Sequence, residues 1–271
     1  MVGVKDLGKR NVLGVLVDAV DPDTAVNRVV LAAREGRPYA VTALAVHGVM
    51  TGVEDPVQRY RLNRFDLVTP DGQPVRWALN WLYGAKLSES VHGSGLMTEV
   101  CRAAAAEGLP IFLYGSRPEV LDRLQQSLLR RFPDLRVAGS EPSRFRRTTL
   151  EEKKEIIDRI LASGAAITFV GLGCPRQEVF AFEYREALGM PVLAVGAAFD
   201  YLAGFLTPPH PLVRRFGLEW VHRLLQEPGR LWKRYTVVNV RYVIALALQL
   251  AELERPDPTA VEAPTDEILY G

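Results

Sequence analysis

The feature that most constrains this chain is a repeated alternation of two textures. Short runs rich in β-branched and aromatic residues occur at Tyr39–Thr42, Leu67–Val68, Ile111–Tyr114, Leu135–Ala138, Ile167–Val170 and Val192–Val195. Amphipathic stretches lie between them, at about 21–35, 46–61, 72–83, 94–107, 117–131, 149–163 and 175–188. A helical crossover returns the chain to the same end of a sheet, so strands joined this way lie parallel. The expected fold class is therefore α/β, a mostly parallel sheet with helices on both faces. Ligands of such sheets gather beyond the carboxyl ends of the strands. The glycine-rich and polar segments fall at those ends: Thr42-Ala43-Leu44, Thr69-Pro70-Asp71-Gly72, Gly115-Ser116, Gly171-Leu172-Gly173-Cys174 and Gly196-Ala197-Ala198.

With 271 residues the chain can bury a full core. A formal charge of +1 supplies no global attraction to nucleic acid, so electrostatic recognition must come from local clusters. The two cysteines, Cys101 and Cys174, form no metal spacing and suit a reduced, intracellular protein. The chain does not open on a basic segment followed by a long apolar run, and secretion is not expected. The longest apolar stretch, near 235–250, is interrupted by Asn239 and Arg241 and falls short of the about 20 residues of a membrane span. The texture changes near residue 206, where Thr207-Pro208-Pro209-His210-Pro211 can continue neither a helix nor a central strand. Three parts are expected: a catalytic α/β domain over 1–205, a helical appendage over 206–254, and a Pro- and acid-rich tail without fixed structure over 255–271. The appendage helices are predicted at Leu218–Gln226 and Gly229–Leu253.

Several of the strand-end segments have the makings of chemistry, each beside a plainer reading. Asp71 precedes a glycine at a strand's carboxyl end, where a carboxylate can take a proton from an attacking hydroxyl. The same residue can instead cap the helix beginning near Gln73. Gly171, Gly173, Pro175, Arg176 and Gln177 form a turn that opens a helix. Free N–H groups and the helix dipole make such a turn an anion site, with Arg176 and Gln177 as added donors; it can also be a tight connection that binds nothing. Asp200, after Gly196, can hold ribose or base polar groups, or cap the short helix that follows. His92 stands at a helix start within reach of a substrate, and the four histidines show no metal-ligand spacing. Arg230, Arg234 and Arg241 share one stripe of a helix whose other faces carry Leu231, Trp232, Tyr235, Val238 and Tyr242. That pattern suits an anionic membrane surface or a pyrophosphate, and equally a solvated face over a packing face.

Four segments occur together and in order. They are Thr69-Pro70-Asp71-Gly72; Val170-Gly171-Leu172-Gly173 with Pro175-Arg176-Gln177-Glu178; Phe199-Asp200 with Ala203-Gly204; and Phe216-Gly217-Leu218-Glu219-Trp220 with Arg223-Leu224 and Glu227-Pro228. In this order they resemble the WecG/TagA/CpsF family of bacterial glycosyltransferases, from about Val12 to Arg241. The resemblance implies a Rossmann-like core with a helical C-terminal appendage, and an inverting transferase needing neither metal nor cofactor. It implies a UDP-sugar donor, of N-acetylmannosamine type or a related hexose or uronic acid. The implied acceptor is a polyprenyl-diphosphate-linked sugar used in cell-surface polysaccharide or teichoic acid assembly. The implied location is cytoplasmic, peripheral on the inner face of the cell membrane; a homo-oligomer is compatible with it and nucleic acid is not a partner. Matched position by position, Asp71 is the base and Thr42 a substrate-contacting threonine. Gln177 binds donor, Asp200 lies in the nucleotide wall, and Arg223, Arg230 and Lys233, with Arg234 beside them, face the diphosphates.

This chain departs from the family pattern in places. Leu44 stands where asparagine is usual, and Ser90-Val91-His92-Gly93-Ser94-Gly95 lacks the family's arginine and aspartate. Ser143-Arg144-Phe145 replaces a Gly-Tyr-Phe segment. These changes leave open another sugar, or a soluble acceptor in a specialised pathway. A non-catalytic nucleotide-sugar scaffold would have no use for Asp71. A nicotinamide oxidoreductase would need a Gly-x-Gly-x-x-Gly after its first strand, which is missing.

Overall fold

The structure is a computed structural model and describes residues 5–207, 213, 219–226 and 228–271; the side chains at 219, 223, 230, 231 and 233–235 fall outside the description. Among the described residues the chain builds a six-stranded parallel sheet and a two-stranded antiparallel hairpin. The hairpin comes first, as β1 (Asp6–Val12) and β2 (Val15–Val20). The sheet strands are β3 (Tyr39–Leu44), β4 (Leu67–Pro70), β5 (Ile111–Gly115), β6 (Val137–Glu141), β7 (Ile167–Gly171) and β8 (Pro191–Ala194). Their spatial order is β4-β3-β8-β7-β5-β6, all parallel. The fold class read from the alternation is the fold found.

The helices are α1 (Pro22–Arg34), α2 (Val46–Glu54), α3 (Pro56–Asn63), α4 (Gln73–Tyr83), α5 (Gly93–Glu107), α6 (Pro118–Arg131), α7 (Leu150–Ala162), α8 (Arg176–Leu188) and the short α9 (Ala198–Leu202). The predicted 46–61 helix is two helices, because Asp55 leaves helical geometry ahead of Pro56 and then caps α3 through Val57 N–H. Alternate residues of each strand face opposite layers. On β5, Ile111 and Leu113 face α1, α5, α6 and α9, while Phe112 and Tyr114 face the hairpin, α2, α4, α7 and α8. Both layers are closely covered, and the central strands are buried on both faces, as a doubly covered parallel sheet demands.

The hairpin was not anticipated. Its turn is Leu13-Gly14, with φ of 56° and 89°. Two positive φ values match the twist of a two-residue hairpin, but leucine is a poor signal for such a turn. The hairpin covers the edge of the sheet: buried Asp18 on β2 accepts from Val68 N–H of β4 at 2.8 Å and pairs with Arg28 at 3.0 Å. An edge strand covered in this way is not left open to another chain.

Beyond residue 207, α10 (Glu219–Gln226) and α11 (Pro228–Lys233) lead through a π-helical segment (Arg234–Val238) into α12 (Asn239–Leu250). The predicted continuous Gly229–Leu253 helix thus contains a π insertion, which shifts the faces on either side of it. Arg241, placed by spacing on one cationic stripe, instead pairs with Glu54. Tyr242 and Leu246 of α12 enter the core, and Tyr242 Oη donates to Pro74 O. The residues 208–212 at the expected boundary lie outside the described residues.

One expectation is corrected. Residues 255–271 are not without fixed structure but lie along the body. Asn11 and Asn63 donate to the carbonyls of Pro256 and Pro258, and Glu262 N–H donates to Pro56 O. Glu183 accepts from the N–H groups of Ile268 and Leu269 at 2.8 and 3.0 Å, and Thr148 N–H donates to Leu269 O. Much of the tail's backbone thus finds its partners in distant side chains and main-chain groups of the body, which its composition could not reveal.

Candidate active site

The strand order creates the site. From β5 the chain moves outward to β6, while from β7 it moves the other way to β8. The loops leaving these adjacent strands therefore diverge and open a crevice at their carboxyl ends. Gly115 and Gly171 are directly paired at that point. A Cβ on Gly171 would lie 2.6 Å from the Phe199 ring, so only glycine lets α9 pack this close to the strand end.

A cleft of about 1300 Å³ occupies this crevice. Asp71, His92, Gly171, Gly173, Arg176, Gln177, Gly196 and Asp200 all line it. Residues widely separated in sequence are thus brought together. The capping alternative for Asp71 is not what caps α4: the N-cap is Gly72, at φ 81°, with no side-chain cap bond. Asp71 is held through its backbone, its N–H donating to Leu44 O. Asp200 likewise does not cap α9, whose N-cap is Ala197. His92 does cap α5, its Nδ1 accepting from Gly95 N–H at 3.2 Å, while its ring lines the cleft.

Thr42 lies elsewhere than expected. It is fully buried beneath the cleft, and its hydroxyl donates to Glu178 Oε1 at 3.0 Å. The same oxygen accepts from Gln177 Nε2 at 2.9 Å, and Gln177 Oε1 accepts from Gly173 N–H at 3.1 Å. One N–H of the glycine turn is therefore already satisfied from within. Glu178 is 1% exposed, and burial pushes its carboxyl above the ordinary value, against hydrogen bonds from Gln177, its own backbone, Thr42 and Cys174. It forms a node that sequence reasoning missed. The available signal was an acidic residue in the first turn of α8, on the side facing a polar residue of a buried strand.

The side chains of Arg223, Arg230, Lys233 and Arg234 lie outside the described residues. The C-terminal helices nevertheless reach the cleft, through Trp220, Gln226 and Asn239. The loop after β5 contributes Ser116 and Arg117, and Phe145 stands at another part of the wall. Where the chain departs from the family pattern, local packing accounts for two changes. Leu44 packs against α2, with its Cδ1 2.4 Å from where a Cβ on Gly48 would stand. Arg144 pairs with Glu152 and Glu141. Among the described residues, no group of three or more His, Cys, Asp or Glu is placed to hold a metal ion.

A parallel sheet with a cleft at its switch point admits many chemistries, and fold alone does not choose among them. The choice comes from comparison: residues 10–256 match the model of the glycosyl transferase WecG/TagA/CpsF family. The chain belongs to that family. It is a glycosyltransferase, and the cleft that gathers Asp71 with the Gly171–Gly173 turn is its candidate active site. Such an enzyme requires a nucleotide-sugar donor and an acceptor, and the open carboxyl-end cleft is where an α/β sheet accommodates them. No helix among the described residues is long and apolar enough to cross a membrane.

Proposed function

We propose that this glycosyltransferase moves a sugar from a UDP-sugar to a polyprenyl-diphosphate-linked acceptor, with inversion at the anomeric carbon. The observation that carries this reading is that Asp71 and the Gly171–Gly173 turn line one cleft. The donor diphosphate sits at the turn and the amino end of α8, where the dipole and Arg176 favour negative charge. Gln177, Gly196 and Asp200 belong to the donor side; His92 belongs to the acceptor side. Asp71 takes the proton of the acceptor hydroxyl as its oxygen attacks the anomeric carbon. The bond from that carbon to the diphosphate oxygen breaks on the opposite face, and UDP leaves. Arg223, Arg230, Lys233 and Arg234 supply positive charge to the diphosphates, where charge grows in the transition state.

The proposed setting is the inner face of a membrane. Supporting it, Val237, Val240, Val243 and Ile244 on the C-terminal helices are between 53% and 62% exposed, an apolar face turned to solvent.

Two measurements test the catalytic reading. UDP is expected to raise the melting temperature where NAD does not. Asp71→Asn is expected to lower turnover of the donor by about 10²–10⁴-fold, the usual worth of a general base, while UDP binding stays unchanged. Stabilisation by NAD alone, or near-native turnover by Asp71→Asn, removes the proposal.

A further inference from the structure

Two parts of the cleft must keep a fixed distance if a hydroxyl is to be deprotonated on one side and a diphosphate released on the other. Asp71 belongs to the β3–β4 pair, because Leu44 is in register with Pro70 and Leu44 O accepts from Asp71 N–H. The glycine turn belongs to β7 and α8. Strand β8 lies between β3 and β7, so these two parts are not directly hydrogen-bonded through the sheet. A side-chain path does connect them. Gly173 N–H donates to Gln177 Oε1, Gln177 Nε2 donates to Glu178 Oε1, and Thr42 Oγ1 of β3 donates to the same oxygen.

We propose that Glu178 is a positioning residue for the transfer reaction, tying the donor turn to the strand pair that carries Asp71 by accepting from Gln177 and Thr42 with one oxygen. The proposal rests on the reading of this cleft as the UDP-sugar site. Three observations support it. Glu178 is almost fully buried in the wall of the cleft, where an acidic residue without a basic partner is unusual. Both donors to its Oε1 are themselves buried, Thr42 at 0% and Gln177 at 4% exposure, so water does not substitute for the missing acceptor. Its Oε2 is buried as well, and the bonds from Gln177 and Thr42 both fall on Oε1. Burial favours the neutral form of such a carboxyl group, and an oxygen of that form can accept both bonds without burying a charge. Gln177 also packs against Gly196, where a Cβ would lie 2.8 Å from its Oε1, so a displaced Gln177 disturbs a second wall of the donor side.

The test compares E178Q and E178M with the parent protein. Glutamine retains a neutral oxygen acceptor of the same reach; methionine keeps the volume and removes the acceptor. UDP affinity is measured by calorimetry, and amide hydrogen exchange is followed over 171–177. The expected result is at least tenfold weaker UDP binding and faster exchange for E178M, with E178Q within about threefold of the parent. T42V, nearly isosteric, is expected to weaken UDP binding several-fold and does not depend on E178M folding. Combined with E178M it should give less than the product of the two losses, since both act through one oxygen. Equal UDP binding by the parent, E178M and T42V overturns the role of Glu178 and leaves the site reading standing. E178Q losing as much as E178M also overturns it. A parent protein that does not bind UDP overturns the site reading and this role with it.

Discussion

At the scale of single residues, the cleft is defined by a few close fits. The His92 ring occupies the space that a side chain at position 95 would need, since a Cβ on Gly95 would meet it at 2.5 Å. Glycine at 95 and histidine at 92 are therefore coupled by packing. Gly95→Ala is expected to cost about 1–3 kcal/mol by overpacking and loss of the His92 cap. Pairing it with His92→Ser should restore most of that, as measured by chemical denaturation of both single variants and the double. Full additivity would show that the two positions are independent. Glu178 gives a second residue-level expectation, in pH. Its folded-state pKa is raised above the ordinary 4.5, so the folded protein holds the proton more tightly than the unfolded chain does. That contribution is complete below about pH 4.5 and is lost as pH rises through the folded value. Relative to E178Q, the parent should therefore lose stability as pH rises above 4.5, a trend read from paired denaturation curves. A constant difference between the two proteins would mean that Glu178 is not shifted.

Among the elements, the unexpected one is the strap formed by residues 255–271. Its attachment depends on a few body side chains, and Glu183 is the most exacting because each carboxylate oxygen accepts one backbone N–H. Glu183→Ala leaves those two N–H groups without their acceptor, at about 1–3 kcal/mol. For a domain of this size a loss of 1 kcal/mol corresponds to about 2–4 °C in melting temperature. The variant should also be cut by protease within 260–271 sooner than the parent. Unchanged melting and unchanged cleavage would show that the strap contributes nothing to stability. The hairpin makes the complementary point: its strands were hidden because Leu13 stands where asparagine, aspartate or glycine usually precedes the turn glycine, and its place was set by Asp18 meeting the β4 edge.

For the whole molecule, the C-terminal helices have two roles that a truncation cannot separate. Tyr242 and Leu246 belong to the core, so removing everything after Gly217 would damage folding as well as any membrane contact. The separable test is substitution on the outward face. Val240→Asp, Val243→Asp and Ile244→Asp together are expected to reduce sedimentation with anionic phosphatidylglycerol vesicles at least tenfold while leaving UDP binding unchanged. Retained vesicle binding would assign that surface to another partner.

The sequence by itself determined the class of fold and the neighbourhood of the site. Strand-helix alternation dictates a parallel sheet, and in such a sheet the chain returns again and again to the same end, so the segments around Asp71, Gly171 and Gly196 were bound to cluster. What it left undecided were contacts between residues far apart in the chain. Whether Asp71 caps a helix, whether Thr42 faces substrate or Glu178, and whether an acid-rich tail is loose or strapped down depend on which groups meet across the core. Local propensity carries no information about such meetings. They are settled only when burial forces each polar group to find a partner, and that happens in three dimensions.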